Sequence, residues 1–150
     1  MRFGVIGGTG FYDFLTGEVS PQVVDTPYGA VHVDAGTVGG AETYFLPRHG
    51  REHNVPPHRV NYRASIAALR ALEVRTVLAS AAVGSLSDTL PPGSLALLTQ
   101  FLDFTKSRPT TFFDGEGGVV HTDMLLRGFG LVLDLRFFGL DLFLRRAACQ

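Results

Sequence analysis

The sequence predicts an α/β fold, a mixed central β-sheet flanked by helices. Three observations lead there. Short β-type runs bounded by glycine or proline recur through the first hundred residues. Two of them are nearly all apolar, as strands covered on both faces are. An amphipathic helix then joins two of the runs in strand–loop–helix–strand order, the mark of a βαβ-type unit. At 150 residues the chain has the length of one ordinary domain, enough to bury roughly 70% of its unfolded surface.

The elements follow in order. Phe3 to Ile6 is the first strand, and Gly7-Gly8-Thr9-Gly10 turns the chain after it. Ala30 to Ala35 and Glu42 to Leu46 are the next two. Val60 to Leu72 is the clearest helix: Ile66, Leu69 and Leu72 recur at three-residue steps, Ala67, Ala68 and Ala71 sit beside them, and Arg63 and Arg70 are left for water. Asn61 stands at its N-terminal edge, where a short polar side chain caps free amides. Arg75 to Ala79 and Leu95 to Phe101 are the last strands expected. Pro91-Pro92-Gly93 is a firm turn, and Phe104 to Gly118 reads as a long surface loop.

From Met124 the character changes. The tail is dominated by Leu, Phe, Gly and Arg, contains no Ser, Thr, Asn or Pro, and follows neither the helical nor the strand period. We therefore divide the chain into 1–123 and an atypical Leu/Phe-rich tail, 124–150.

Composition narrows the classes of function. An apolar fraction of 45% with a net charge of −1 describes a soluble, globular protein and excludes a generally basic, nucleic-acid-coating surface. The charge is unevenly placed, however. Arg48, Arg51, Arg59, Arg63 and Arg70 cluster with His49, His53 and His58, and Glu52 is the only carboxylate among them. A local positive patch on a near-neutral protein suits a small anion. The single cysteine, Cys149, cannot close an intrachain disulfide, which points to a reducing compartment. The N-terminus lacks a signal-peptide layout, and no apolar run approaches the ~20 residues that span a bilayer. The expectation is a cytoplasmic protein with no membrane partner.

Pro47-Arg48-His49-Gly50-Arg51 carries the most chemistry. It follows a strand, and binding residues favour such loops on a rigid scaffold. Arg48 offers a permanent charge and a planar fork of donors, and His49 a further donor. Arg51, His53 and His58 are equally well read as satisfied surface residues. The histidines lack a matching set of Asp, Glu or Cys, so no metal is expected. Gly7-Gly8-Thr9-Gly10 can aim amides and the Thr9 hydroxyl at phosphate oxygens. The rival reading of that turn is a dinucleotide fingerprint, and with it a nicotinamide-dependent reductase. Asp13 stands where that fingerprint requires its last glycine, and phosphate is favoured. Ala79-Ser80-Ala81-Ala82 ends the βαβ unit with small residues against which a ligand can rest. Ser85 lacks the Gly-x-Ser-x-Gly elbow of a nucleophile.

Taken in register, Ile6-Gly7-Gly8-Thr9-Gly10, Arg48-His49-Gly50-Arg51, Val60-Asn61-Tyr62-Arg63-Ala64, Val83-Gly84-Ser85-Leu86, Gln100-Phe101-Leu102-Asp103, Phe112-Phe113-Asp114-Gly115 and Val120-His121 closely resemble the methylthioadenosine phosphorylase branch of the purine nucleoside phosphorylases. The resemblance runs from Met1 to about Met124. It implies a nucleoside phosphorylase-like sheet, incomplete at its C-terminus. It also implies phosphorolysis of 5'-methylthioadenosine or a related purine nucleoside to free base and ribose 1-phosphate. Inorganic phosphate would be the co-substrate, with no other cofactor. By resemblance, Thr9, Arg48, His49 and Ala82 hold phosphate, with Ala81 adjoining. Family members often carry threonine at the Ala81 position, which leaves one hydroxyl contact missing. Tyr62 flanks the sugar, and His121 reaches a neighbouring subunit's pocket in a homotrimer.

The family's base-contacting aspartates have no counterpart here, so no catalytic residue is assigned. The abrupt change after Met124 prompts the hypothesis of a frameshifted or truncated terminus. Reading the encoding DNA in its other two frames past His121 tests this, family-like sequence being the expected result. The alternative to an active phosphorylase is a catalytically inactive remnant, or a self-associating module, that keeps only the phosphate half-site.

Overall fold

The computed structural model describes residues 1–8, 13–98, 104, 106–109, 111–113, 131–135 and 141–145. Among the described residues, eight strands form: β1 (Phe3–Gly7), β2 (Thr16–Val24), β3 (Val31–Val38), β4 (Ala41–Pro47), β5 (Thr76–Ala81), β6 (Ser94–Leu98), β7 (Leu131–Leu135) and β8 (Asp141–Arg145). One α-helix, α1 (Tyr62–Ala71), follows a short 3-10 turn at Pro57–Arg59. The main sheet has the order β2-β3-β4-β1-β5-β8, and β6 pairs with β7 in a separate antiparallel ribbon. Strands β7 and β8 both lie in the 124–150 segment.

The sheet is mixed. Strand β1 is central and runs parallel to β4 on one side and β5 on the other, with Ile6 opposite Leu46 and Ala79. The antiparallel pairs β2–β3, β3–β4 and β5–β8 extend it outward. Because side chains alternate along a strand, Ile6, Tyr44, Leu46, Val77 and Ala79 share the face that receives α1. They form one apolar cluster with Leu69 and Val74, and Ile66 and Leu72 pack against it. On the opposite face, the edge of the Phe14 ring meets Phe45 at a centroid distance of 5.3 Å.

The helix begins where a cap is available. The Asn61 side chain accepts from the Ala64 amide at 3.1 Å and donates to the Tyr28 carbonyl at 2.7 Å, tying α1 to the turn before β3. Helix α1 is shorter than the expected 60–72 by a residue or two at each end. Strands β1, β3, β4 and β5 stand where the apolar runs place them. Strand β6 ends at Leu98, and the remainder of the expected run to Phe101 lies outside the described residues. Strand β2 is a departure. It is an exposed edge strand containing Gly17 and Pro21, with a register shift between Thr16 and Ser20. Proline is tolerated there because an edge strand has amides with no partner to lose.

Candidate functional site

Three parallel strands, β4, β1 and β5, deliver their carboxyl ends to the same edge of the sheet. Ligands of open α/β sheets rest at this edge. Gly8 follows β1, Arg48 and His49 follow β4, and Ala81 ends β5 with Ala82 directly after it. The Arg48 amide continues the ladder by donating to the Gly7 carbonyl at 3.0 Å, so its backbone is fixed before its side chain leaves the sheet.

The Arg48 side chain crosses β1. Its Nη1 donates to the Ser80 carbonyl of β5 at 2.5 Å, and its Nε donates to His49 Nε2 at 3.2 Å. Beneath it lies Gly8, where a first side-chain carbon would sit 3.0 Å from Nη2. A side chain there would make the guanidinium give way by a few tenths of an ångström, so the close approach suits a glycine. Arg48 is half-buried, and no carboxylate among the described residues pairs with it. Its Nη2 forms no hydrogen bond to a described residue. The result is a positioned cation with one open edge, suited to an oxyanion.

A tight turn supports the pair. Gly50 donates to the Pro47 carbonyl at 2.9 Å and adopts φ +78°, a left-handed conformation that glycine accepts without strain. The Val55 amide closes back on the His49 carbonyl at 2.9 Å, and the Val55 carbonyl meets His49 Nδ1 at 2.9 Å. The His53 ring lies 5.6 Å from that of His49. Arg51 forms an ion pair with Asp34 of β3, which removes it from the anion site. Among the described residues, no group of three or more His, Cys, Asp or Glu is placed to share a metal ion.

Of the residues expected at the site, Arg48, His49, Ala81 and Ala82 are brought to the same sheet edge. Thr9 and His121 lie outside the described residues. Tyr62 opens α1 with Arg108 Cζ 4.8 Å above its ring. Two contributors carry no signal in the sequence. The carbonyls of Ser80 and Val55 are backbone groups, and any residue type supplies them.

Comparison with known proteins adds the following. Residues 2–150 match the family model described as the phosphorylase superfamily. The probable 6-oxopurine nucleoside phosphorylase of Moorella thermoacetica is 54% identical over 126 residues, covering 82% of this chain and 48% of that protein. The S-methyl-5'-thioadenosine phosphorylase of Nitrosopumilus maritimus is 46% identical over 124 residues, covering 81% and 47%. Among solved structures, methylthioadenosine phosphorylase from Schistosoma mansoni in complex with adenine superposes with a TM-score of 0.75. It is 41% identical, with 82% of this chain and 47% of that one covered. The chain spans about half the length of the curated relatives it matches.

Proposed function

This chain belongs to the phosphorylase superfamily, and on that premise we propose that it binds inorganic phosphate for the phosphorolysis of a purine nucleoside, 5'-methylthioadenosine or a 6-oxopurine nucleoside. The observation that carries the reading is Arg48: a half-buried guanidinium, unpaired with any described carboxylate, held at the carboxyl ends of three parallel strands.

In this reaction a phosphate oxygen forms a bond to the anomeric carbon while the bond to the purine nitrogen breaks. The electron pair leaves with the base, which takes up a proton. Positive charge develops on the ribose ring in between. An oriented dianion beneath that ring attacks it and stabilises it at once, and orientation is what fixed donors supply. Nη2 of Arg48 is a donor with no partner among the described residues. In the same reading, Thr9 and the Ala82 amide complete the cradle with Ala81 adjoining, Tyr62 flanks the sugar, and His121 serves a neighbouring subunit of a trimer. No cofactor beyond phosphate enters. The setting is cytoplasmic; among the described residues, no helix is long and apolar enough to cross a membrane.

The second reading is that the chain keeps the phosphate half-site and turns over nucleoside feebly or not at all. Two measurements separate the cases. Calorimetric titration with inorganic phosphate is expected to show binding that Arg48→Ala weakens by roughly 10- to 100-fold, the equivalent of one hydrogen bond from a charged donor. Arg48→Lys should restore little, since an ammonium lacks the fork that reaches Ser80 and the ligand together. Unchanged affinity in Arg48→Ala would refute the anion site. Methylthioadenosine turnover by the purified chain then distinguishes the active enzyme from the remnant.

A further inference from the structure

The bonding of His49 fixes its protonation pattern. Nδ1 lies 2.9 Å from the Val55 carbonyl, and Nε2 lies 3.2 Å from Arg48 Nε. A carbonyl oxygen only accepts, so Nδ1 carries the proton. A guanidinium only donates, so Nε2 presents its lone pair. Both contacts are met by one state alone, the neutral Nδ1–H tautomer. That ring has no N–H left to give to an anion. The sequence made His49 a donor to phosphate, and the geometry gives it a different task.

We propose that His49 is a positioning residue, which accepts from Arg48 Nε and so aims the guanidinium at the phosphate, while the anion's donors come from elsewhere. The proposal rests on the reading of Arg48 as the phosphate anchor. Three contacts restrain the guanidinium plane: the Ser80 carbonyl on Nη1, His49 Nε2 on Nε, and the bare backbone of Gly8 against Nη2. The two anchoring bonds engage Nε and Nη1, which lie on opposite sides of the fork, and leave Nη2 to the ligand. A long side chain held in this way has already lost its rotamer freedom, so binding does not have to remove it.

The turn that follows β4 has a role in this arrangement. Gly50 and His53 both adopt left-handed backbone, at φ +78° and +55°, and the Val55 amide returns to the His49 carbonyl. That path brings the Val55 carbonyl over Nδ1. The Val55 carbonyl gives the Nδ1 proton an acceptor and so favours the tautomer that accepts from arginine.

The experiment is a long-range proton–nitrogen correlation spectrum of the chain labelled with nitrogen-15 in histidine, recorded free and with saturating inorganic phosphate. Expected is a His49 ring protonated at Nδ1 and bare at Nε2 in both spectra. A ring protonated at Nε2, free or after phosphate is added, overturns the proposal. Variants supply a second readout. In His49→Gln the side-chain carbonyl still accepts from Arg48 Nε, and phosphate affinity should stay within about threefold of the parent. In His49→Ala it should fall on the order of tenfold, as one lost hydrogen bond to a charged group implies. An equal, large loss in both variants counts against positioning. If phosphate does not bind at all, the anion-site reading fails, and the free-chain tautomer still decides whether His49 holds Arg48.

Discussion

Side chains away from the open edge of Arg48 show how the site's surroundings are balanced. Ser80 is fully buried, and its hydroxyl finds no hydrogen-bond partner among the described residues, although its carbonyl anchors Arg48. An unpartnered buried hydroxyl is a cost, so Ser80→Ala should leave stability unchanged or raise it by up to about 1 kcal/mol. Urea denaturation checks this, and a clear loss would mean that the hydroxyl has a partner. At the other end of the sheet, Arg2 bridges Glu42 at 2.9 Å and Glu73 at 2.8 Å, and Tyr44 donates its hydroxyl to Glu42 at 2.5 Å. The Tyr44 hydroxyl, and then Arg2, hold the Glu42 carboxyl below its ordinary range. Burial first, and then the bond to Glu42, push the Tyr44 phenol up. The signs are opposite. Glu42 contributes stability at neutral pH that is lost as acid takes it through its lowered value. The contribution of Tyr44 holds through neutrality and is lost as base takes the phenol through its raised value. Urea midpoints measured across pH should therefore fall at both extremes, with Tyr44→Phe removing the alkaline limb and shrinking the acid one.

Elements differed in how plainly the sequence announced them. Strand β1 is a run buried on both faces, β5 is an apolar run buried at Val77 and Ser80, and α1 carries apolar residues at helical steps beneath an asparagine cap, so pattern alone located them. Strand β2 has no such pattern because neither of its faces is well covered: it lies at the sheet edge and contains Gly17 and Pro21. Charge, glycine and strand-end position made Arg48, His49 and the Ala81-Ala82 step legible. The carbonyls that aim Arg48 were not, since backbone leaves no trace in residue identity. The cap itself is testable. Asn61→Ala removes both the bond to the Ala64 amide and the bond to Tyr28 and should cost about 1–2 kcal/mol. Asn61→Asp keeps the acceptor but cannot donate to Tyr28, and it should fall between the two in thermal midpoint.

The molecule as a whole leaves apolar surface uncovered. Phe104 is 82% exposed, and Leu95 and Leu97 of β6 are 63% and 54% exposed. Apolar surface of this kind drives association in water. Static light scattering should show a mass that rises with concentration, and a Leu95→Lys, Leu97→Lys double variant should lower that rise. A sharp, concentration-independent trimer insensitive to these changes would mean that a different surface makes the assembly.

Arg48 ends one strand and bonds a third across the strand between them, and this reach has a thermodynamic sequel. A ligand held by that side chain recognises only molecules in which all three strands are already assembled, and a chain with β5 peeled away offers it nothing. Saturation must then shift the melting transition upward by mass action, in step with the logarithm of free ligand concentration. The anion becomes a reporter on the integrity of the central sheet.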